Sequence, residues 1–253
     1  MAFVLAITNQ KGGVGKTTTA VNLAAQLATT KRRVVLVDLD PQGNATSSLG
    51  IAKDELQNTL YECLVGGMSV KKIILPTSHK NMFVLPSNAQ LAQAEVDLVN
   101  VAKRETKLAD LLATINADVI LIDCPPALGL LTVNALAAAD GVLIPVQAEY
   151  FALEGLSQLV QTIQLVRQGL NTRLKIFGVV LTMFSKRTVL SEQVKAEVEQ
   201  HFGDKLFHSV IPRNIRLAEA PSYGKTIFEH DKWSKGARAY KALAQEVVSR
   251  AGL

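Results

Sequence analysis

The chain has 253 residues, 48% of them hydrophobic and 19% charged, which excludes a disordered polymer and allows a sizeable core without disulfides or metals. A formal net charge of +5 permits contact with nucleic acid or anionic lipid without requiring either. Two cysteines, Cys63 and Cys124, have no spacing for zinc or for a bridge framework and suit a reducing compartment. From the start, the segment MAFVLAITNQKGG lacks the positive leader and cleavage site of a signal peptide, and no stretch nears the roughly 20 apolar residues of a membrane span. In chain order, short apolar runs predict buried strands at residues 3–8, Val34–Asp38, Met82–Leu85, Val119–Asp123, 141–146, 176–181 and 206–211. Helical spacing predicts helices at 16–30, 90–101, 105–115, Leu130–Ala138, 153–169, 190–201 and 235–250. Residues 47–78 are the least regular and read as a surface excursion. Continuous rather than alternating apolar strands mean that both faces of the sheet are covered. Strand-helix alternation then predicts one α/β domain over 1–253, a mostly parallel twisted sheet with helices on both faces.

The strongest local signal is the run Lys11, Gly12, Gly13, Val14, Gly15, Lys16, Thr17, Thr18, directly after a predicted strand and before a predicted helix. Glycines let the backbone curl so that successive N–H groups point at phosphate oxygens, and the following helix offers its positive end to the same anion. The pattern predicts a phosphate loop for a nucleotide, with Lys16 reaching the β- and γ-phosphates and the Thr17 hydroxyl ligating Mg²⁺. The first glycine of the usual pattern is Gln10, and an extra lysine stands at 11. Lys11 is not needed to hold one nucleotide, so its charge is well used if it reaches the nucleotide of a neighbouring subunit. Two further acidic positions end buried strands, where the crevice of a parallel sheet lies. Asp123 is expected near Mg²⁺, acting through a water. Asp38 and Asp40 bracket the end of the second strand, and Asp40, beside a Pro-Gln-Gly turn, is the choice for orienting the attacking water.

At these residues the sequence resembles the ParA/Soj partition ATPases. The resemblance is carried by residues 9–19, 38–46, 122–126, 149–156 and 211–225, and it extends over essentially the whole chain. It implies a P-loop NTPase fold of the deviant Walker A type, with Lys11 crossing to the partner's phosphates in an ATP-sandwich homodimer. It implies that loss of Asp40 stalls hydrolysis and that Pro212 and Asn214 contact the adenine. It further implies that the ATP-bound dimer coats double-stranded DNA without sequence preference, and that a ParB-type partner stimulates hydrolysis and releases it. A cytoplasmic, nucleoid-associated protein that partitions a chromosome or plasmid follows. With the loop beginning at Lys11, there is no room ahead of it for the helix-turn-helix domain of long plasmid versions. Lys186, Arg187, Arg213 and Arg216 fall in two loop regions suited to phosphate contact, and family position selects Arg187 and Arg216. Ser185 stands where family members often carry an acid.

Three other readings share part of this signal. A MinD-like membrane ATPase requires a C-terminal amphipathic helix with bulky apolar residues, whereas residues 236–250 are alanine-rich and read as a packing helix. A metabolic synthetase or iron-protein reductase of the same superfamily requires a small substrate or bridging cysteines, and Cys63 and Cys124 are poorly placed to bridge. A nucleotide-gated scaffold would bind ATP and scarcely turn it over.

Overall fold

The computed structural model describes residues 2–29, 31–149 and 155–253. Seven strands form one sheet: β1 (Phe3–Ile7), β2 (Val34–Asp38), β3 (Leu75–Pro76), β4 (Met82–Leu85), β5 (Val119–Asp123), β6 (Gly141–Gln147) and β7 (Lys175–Thr182). Their order is β3-β4-β2-β5-β1-β6-β7, and every pair is parallel except β3 with β4. The helices are α1 (Lys16–Ala28), α2 (Asn44–Ser48), α3 (Leu60–Leu64), α4 (Ala94–Asp97), α5 (Lys107–Leu112), α6 (Leu130–Ala138), α7 (Leu156–Gly169), α8 (Val189–Phe202), α9 (Ile215–Glu219), α10 (Ile227–His230) and α11 (Lys235–Ala251).

Strand side chains alternate between two cores, as the pleat requires. Val35, Val37, Ile120 and Ile122 face one core with α3, α5, α6, α7 and α8. Leu36, Val119, Leu121, Leu5 and Ile7 face the other, with α1 and α11. Both faces are therefore covered, and the central strands tolerate no polar residue before their carboxyl ends. There Ile7 and Asp38 each lie in register with Asp123. The sheet thus converges its loops on one crevice.

Several expectations are corrected. Residues 47–78 are not a surface excursion: Leu60, Cys63, Leu64, Val70 and Ile73 are buried in the first core, and β3 pairs with β4 at the sheet edge. The helix expected at 90–101 is a 3₁₀ turn followed by α4, and only Leu91, Ala94 and Leu98 are buried while Val96, Val99 and Val101 face solvent. Residues 105–115 likewise shrink to α5, preceded by a 3₁₀ turn that Lys103 opens at φ 56°. Residues 206–211 run beside β7 but do not form a strand. Phe207 and Ile211 donate to Val179 O and Leu181 O at 2.8 Å each, yet between them the N–H groups of His208 and Ser209 go to the Glu246 carboxylate of α11 at 3.0 Å each. The Glu246 side chain has captured the Ser209 N–H, which a ladder continuing from Phe207 would use.

Candidate functional site

The loop between β1 and α1 is shaped from its ends inward. Asn9 anchors its entrance: Nδ2 donates to Pro145 O at 2.7 Å, and Oδ1 accepts from Lys11 N at 3.0 Å. Val14 is buried, and its carbonyl accepts the Thr182 hydroxyl at 2.8 Å, which ties the loop to the end of β7. Gly13 and Gly15 sit at φ 74° and 88°, backbone that a side chain would strain. Open space surrounds Gly12 and Gly13. Helix α1 then begins at Lys16 with no side-chain cap on its first turn and no acid in it. Its free N–H groups and positive dipole end are left for an anion.

Lys16 lies within this curl, with Nζ donating to Lys11 O at 3.1 Å. Burial pulls its pKa down, while Asp123 and Asp40 push it back up. Asp38 is immobilised: Oδ2 accepts from Thr46 N at 2.8 Å and from the Thr46 hydroxyl at 2.7 Å. Burial nevertheless pushes its carboxyl up to about 6. Asp40 turns the chain, with Oδ1 accepting from Gln42 N at 2.9 Å, and its carbonyl accepts the Ser87 hydroxyl at 2.8 Å. Asp38 is therefore a fixed strut, and Asp40 stands on a short turn.

Asp123 differs from both. It is fully buried, and neither carboxylate oxygen has a hydrogen-bond partner. Burial first, and repulsion from Asp38 second, hold its pKa well above the usual carboxylate range; the nearby Thr17 side chain and Lys16 pull the other way without completing a bond to it. A buried carboxylate without partners is costly unless a cation or ordered water meets it. Among the described residues no three His, Cys, Asp or Glu side chains gather into a metal cage. This donor set fits Mg²⁺, which keeps most of its waters and takes phosphate oxygens in place of a protein cage.

Beside the loop is a cavity of about 180 Å³ lined by Gly15, Thr18, Thr182, Pro212, Asn214 and Tyr240, among others. Pro212 and Asn214, the adenine contacts that the resemblance implies, thus line a cavity next to the phosphate loop. Asn214 Oδ1 caps α9 by accepting from Leu217 N at 3.2 Å. Three contributors were missed from sequence. Tyr240 of α11 is buried and shares a 3.1 Å hydrogen bond with the Thr19 hydroxyl of α1. Thr182 holds the loop as described, and Met183 lines the cavity at φ 50°, an uncommon conformation for a side-chain-bearing residue. Tyr240 was legible only as one position of an apolar helix face. Thr182 and Met183 carried no motif.

The basic residues divide. Lys186, Arg187, Arg213, Lys235 and Arg238 surround a surface cleft of about 550 Å³. Arg216 lies outside this lining and is engaged by Glu219 at 2.9 Å and Asp231 at 3.8 Å. Arg213 also reaches Glu149 at 3.2 Å. Lys235 and Arg238, on α11, were not singled out from sequence. Of the motif at 149–156, residues 150–154 lie outside the described residues. The C-terminal helix is a packing helix: Tyr240, Leu243, Ala244 and Val247 are buried in the second core. No described helix is long and apolar enough to cross a membrane.

A family described as an AAA domain matches residues 2–176. The sporulation initiation inhibitor protein Soj of Bacillus subtilis is 55% identical over 98% of this chain and 99% of its own length. The chromosome partitioning protein ParA of Myxococcus xanthus is 53% identical over 98% of this chain and 88% of its own. Among solved structures, cobyrinic acid a,c-diamide synthase from Mycobacterium smegmatis with a bound ATP analogue and magnesium superposes with a TM-score of 0.88 at 38% identity, covering 100% of this chain and 96% of that one.

Proposed function

Given that the chain belongs to the ParA/Soj family of chromosome-partitioning ATPases, we propose that it is a nucleotide-driven DNA-segregation switch, in which an ATP-bound homodimer holds DNA without sequence preference and a ParB-type partner triggers hydrolysis and release. The observation that carries the reading is the pairing of an uncapped, acid-free helix start after two left-handed glycines with a buried carboxylate, Asp123, that has no partner of its own. That combination suits a phosphate chain and its cation and little else.

In this reading the N–H groups of residues 12–18 bind the phosphates, Lys16 neutralises the β- and γ-oxygens, and Pro212 and Asn214 border the adenine. Thr17 and, through water, Asp123 hold Mg²⁺, which when bound supplies positive charge at the transferring phosphoryl group. Asp40 orients the attacking water from its turn. Lys11, partly exposed at the rim of the loop, extends to the nucleotide of the second copy. Arg187 and its neighbours in the basic cleft contact DNA phosphates. Arg216 joins them once its pairs with Glu219 and Asp231 open. A cytoplasmic location on the nucleoid follows from this activity.

The relative named as a synthase is less similar than the partition proteins, at 38% against 53–55% identity. The membrane reading loses its main device, because the apolar face of α11 is already in the core. DNA binding measured without nucleotide, with ADP and with a non-hydrolysable ATP analogue tests the proposal. Binding only with the analogue is expected; equal binding in all three states would overturn it.

A further inference from the structure

A groove of about 760 Å³ runs along α7 to the end of α8, across the first residues of β7. It shares no lining residue with the cavity beside the phosphate loop or with the basic cleft around Arg187. Its floor is apolar, with Val160 and Ile163 from α7, Ile176 from β7 and Phe202 from α8. Its rim carries Arg167, Lys175, Lys205 and His201, and no acid lines it. Asp204 pairs with Lys205 at 3.3 Å, but on an exposed surface where such a pair is weak and easily exchanged.

Helix α7 itself is unusual for a solvated helix. Its 14 residues include no acid, and Gln158, Gln161, Gln164 and Gln168 make up much of its exposed face, beside Leu165 at 69% exposure. Neutral amides carry both donors and acceptors and lose less on desolvation than charges would.

We propose that this groove receives an acidic amphipathic helical segment of a partner protein, with apolar side chains on the floor and carboxylates against Arg167, Lys175 and Lys205. The charge pattern selects an acidic occupant, and the length of α7 admits three to four helical turns, about 21 Å. A flat anionic membrane would meet the basic rim but leave the apolar floor of Val160, Ile176 and Phe202 between α7, β7 and α8 unfilled. The site stands apart from the nucleotide switch, but the same helix touches the phosphate loop at its opening turn, where Gln10 Nε2 donates to Gln158 Oε1 at 2.8 Å.

A display library of random 16-residue segments, panned against the whole protein, tests the assignment. Selected segments are then measured against wild type and against the triple variant Arg167→Glu, Lys175→Glu, Lys205→Glu, whose three positions are exposed and compatible with folding. A second variant, Val160→Glu, places a charge on the floor. The expected result is acidic segments with apolar residues at three- and four-residue spacing, and at least tenfold weaker binding to either variant while ATP binding is unchanged. Selected segments that are not acidic, or that bind both variants as well as wild type, would overturn the proposal. So would phosphatidylglycerol vesicles that retain wild type and lose the triple variant when no acidic segment is selected.

Discussion

Asp38 and Asp123 lie opposite one another on neighbouring strands, both fully buried, yet only Asp38 has donors. The Thr46 backbone and hydroxyl hold Asp38, and its carboxyl still titrates near 6 because desolvation outweighs those bonds. A carboxyl raised on folding binds its proton more tightly in the native state. Its stabilising contribution is complete below about pH 4 and is lost as pH rises through 6. In protein free of nucleotide and metal, Asp38→Asn keeps an acceptor for Thr46 and removes the titration. Wild type is therefore expected to lose on the order of 2–3 kcal/mol between pH 4 and 7.5 relative to the variant. Thermal melts of the two across that range check this, and parallel curves would count against it. Lys16 gives the complementary test of binding. Lys16→Ala removes the lysine whose ammonium lies inside the curl of the loop and is expected to abolish nucleotide binding, measured by titration with a fluorescent ATP analogue.

At the scale of elements, α1 and α11 come from opposite ends of the chain and pack in one core. Their polar tie is the Thr19–Tyr240 bond, which no sequence spacing reveals because the partners are 221 positions apart. Tyr240→Phe strands the buried Thr19 hydroxyl and is expected to cost about 1–2 kcal/mol, whereas adding Thr19→Val restores most of it, since removing both partners leaves nothing unsatisfied. Urea unfolding of the two singles and the double measures the coupling. The same contrast explains what was legible. The strands around β5 could be read because each is a continuous apolar run whose burial is a local property. The phosphate loop could be read because glycine and lysine positions dictate its shape. Residues 206–211 could not, because Glu246 decides where their N–H groups go. Gly178 adds to this, since a Cβ there would lie 2.3 Å from the Phe207 ring and 2.8 Å from Lys205 O. The close passage of that segment beside β7 depends on an absent side chain. Pro212 and Asn214 were proposed by family motif, and they line a cavity with Gly15 and Thr18. Arg216 was proposed the same way, yet acids that lie 3 and 15 residues further along hold it.

For the whole molecule, the proposed switch requires that the γ-phosphate be read by a dimer and that the dimer be read by DNA. These two steps separate by mutation. Asp40 stands on a turn held by Gln42 N and Ser87 and feels Lys16 through its charge, while the Lys16 ammonium itself donates to Lys11 O. Asp40→Ala is thus expected to leave ATP binding and dimer formation intact while lowering hydrolysis at least tenfold. Light scattering with ATP should show a dimer, and a monomer would count against the assignment.

DNA affinity should follow charge in the basic cleft rather than the nucleotide chemistry. Arg187 and Arg238 both line that cleft, while Arg216 is held by Glu219 and Asp231. If the cleft is the contact surface, Arg187→Glu and Arg238→Glu each weaken DNA binding and flatten its salt dependence, because fewer counterions are released when fewer phosphates are neutralised. Arg216→Glu must also break its own pairs, so its effect combines lost contact with new repulsion from Glu219 and Asp231. Arg216→Gln removes the charge without that repulsion. An equal loss for Gln and Glu places Arg216 on the DNA, whereas a loss seen with Glu alone makes it a local strut. Anisotropy titrations of a labelled duplex at several salt concentrations, with ATP analogue present, distinguish the two outcomes.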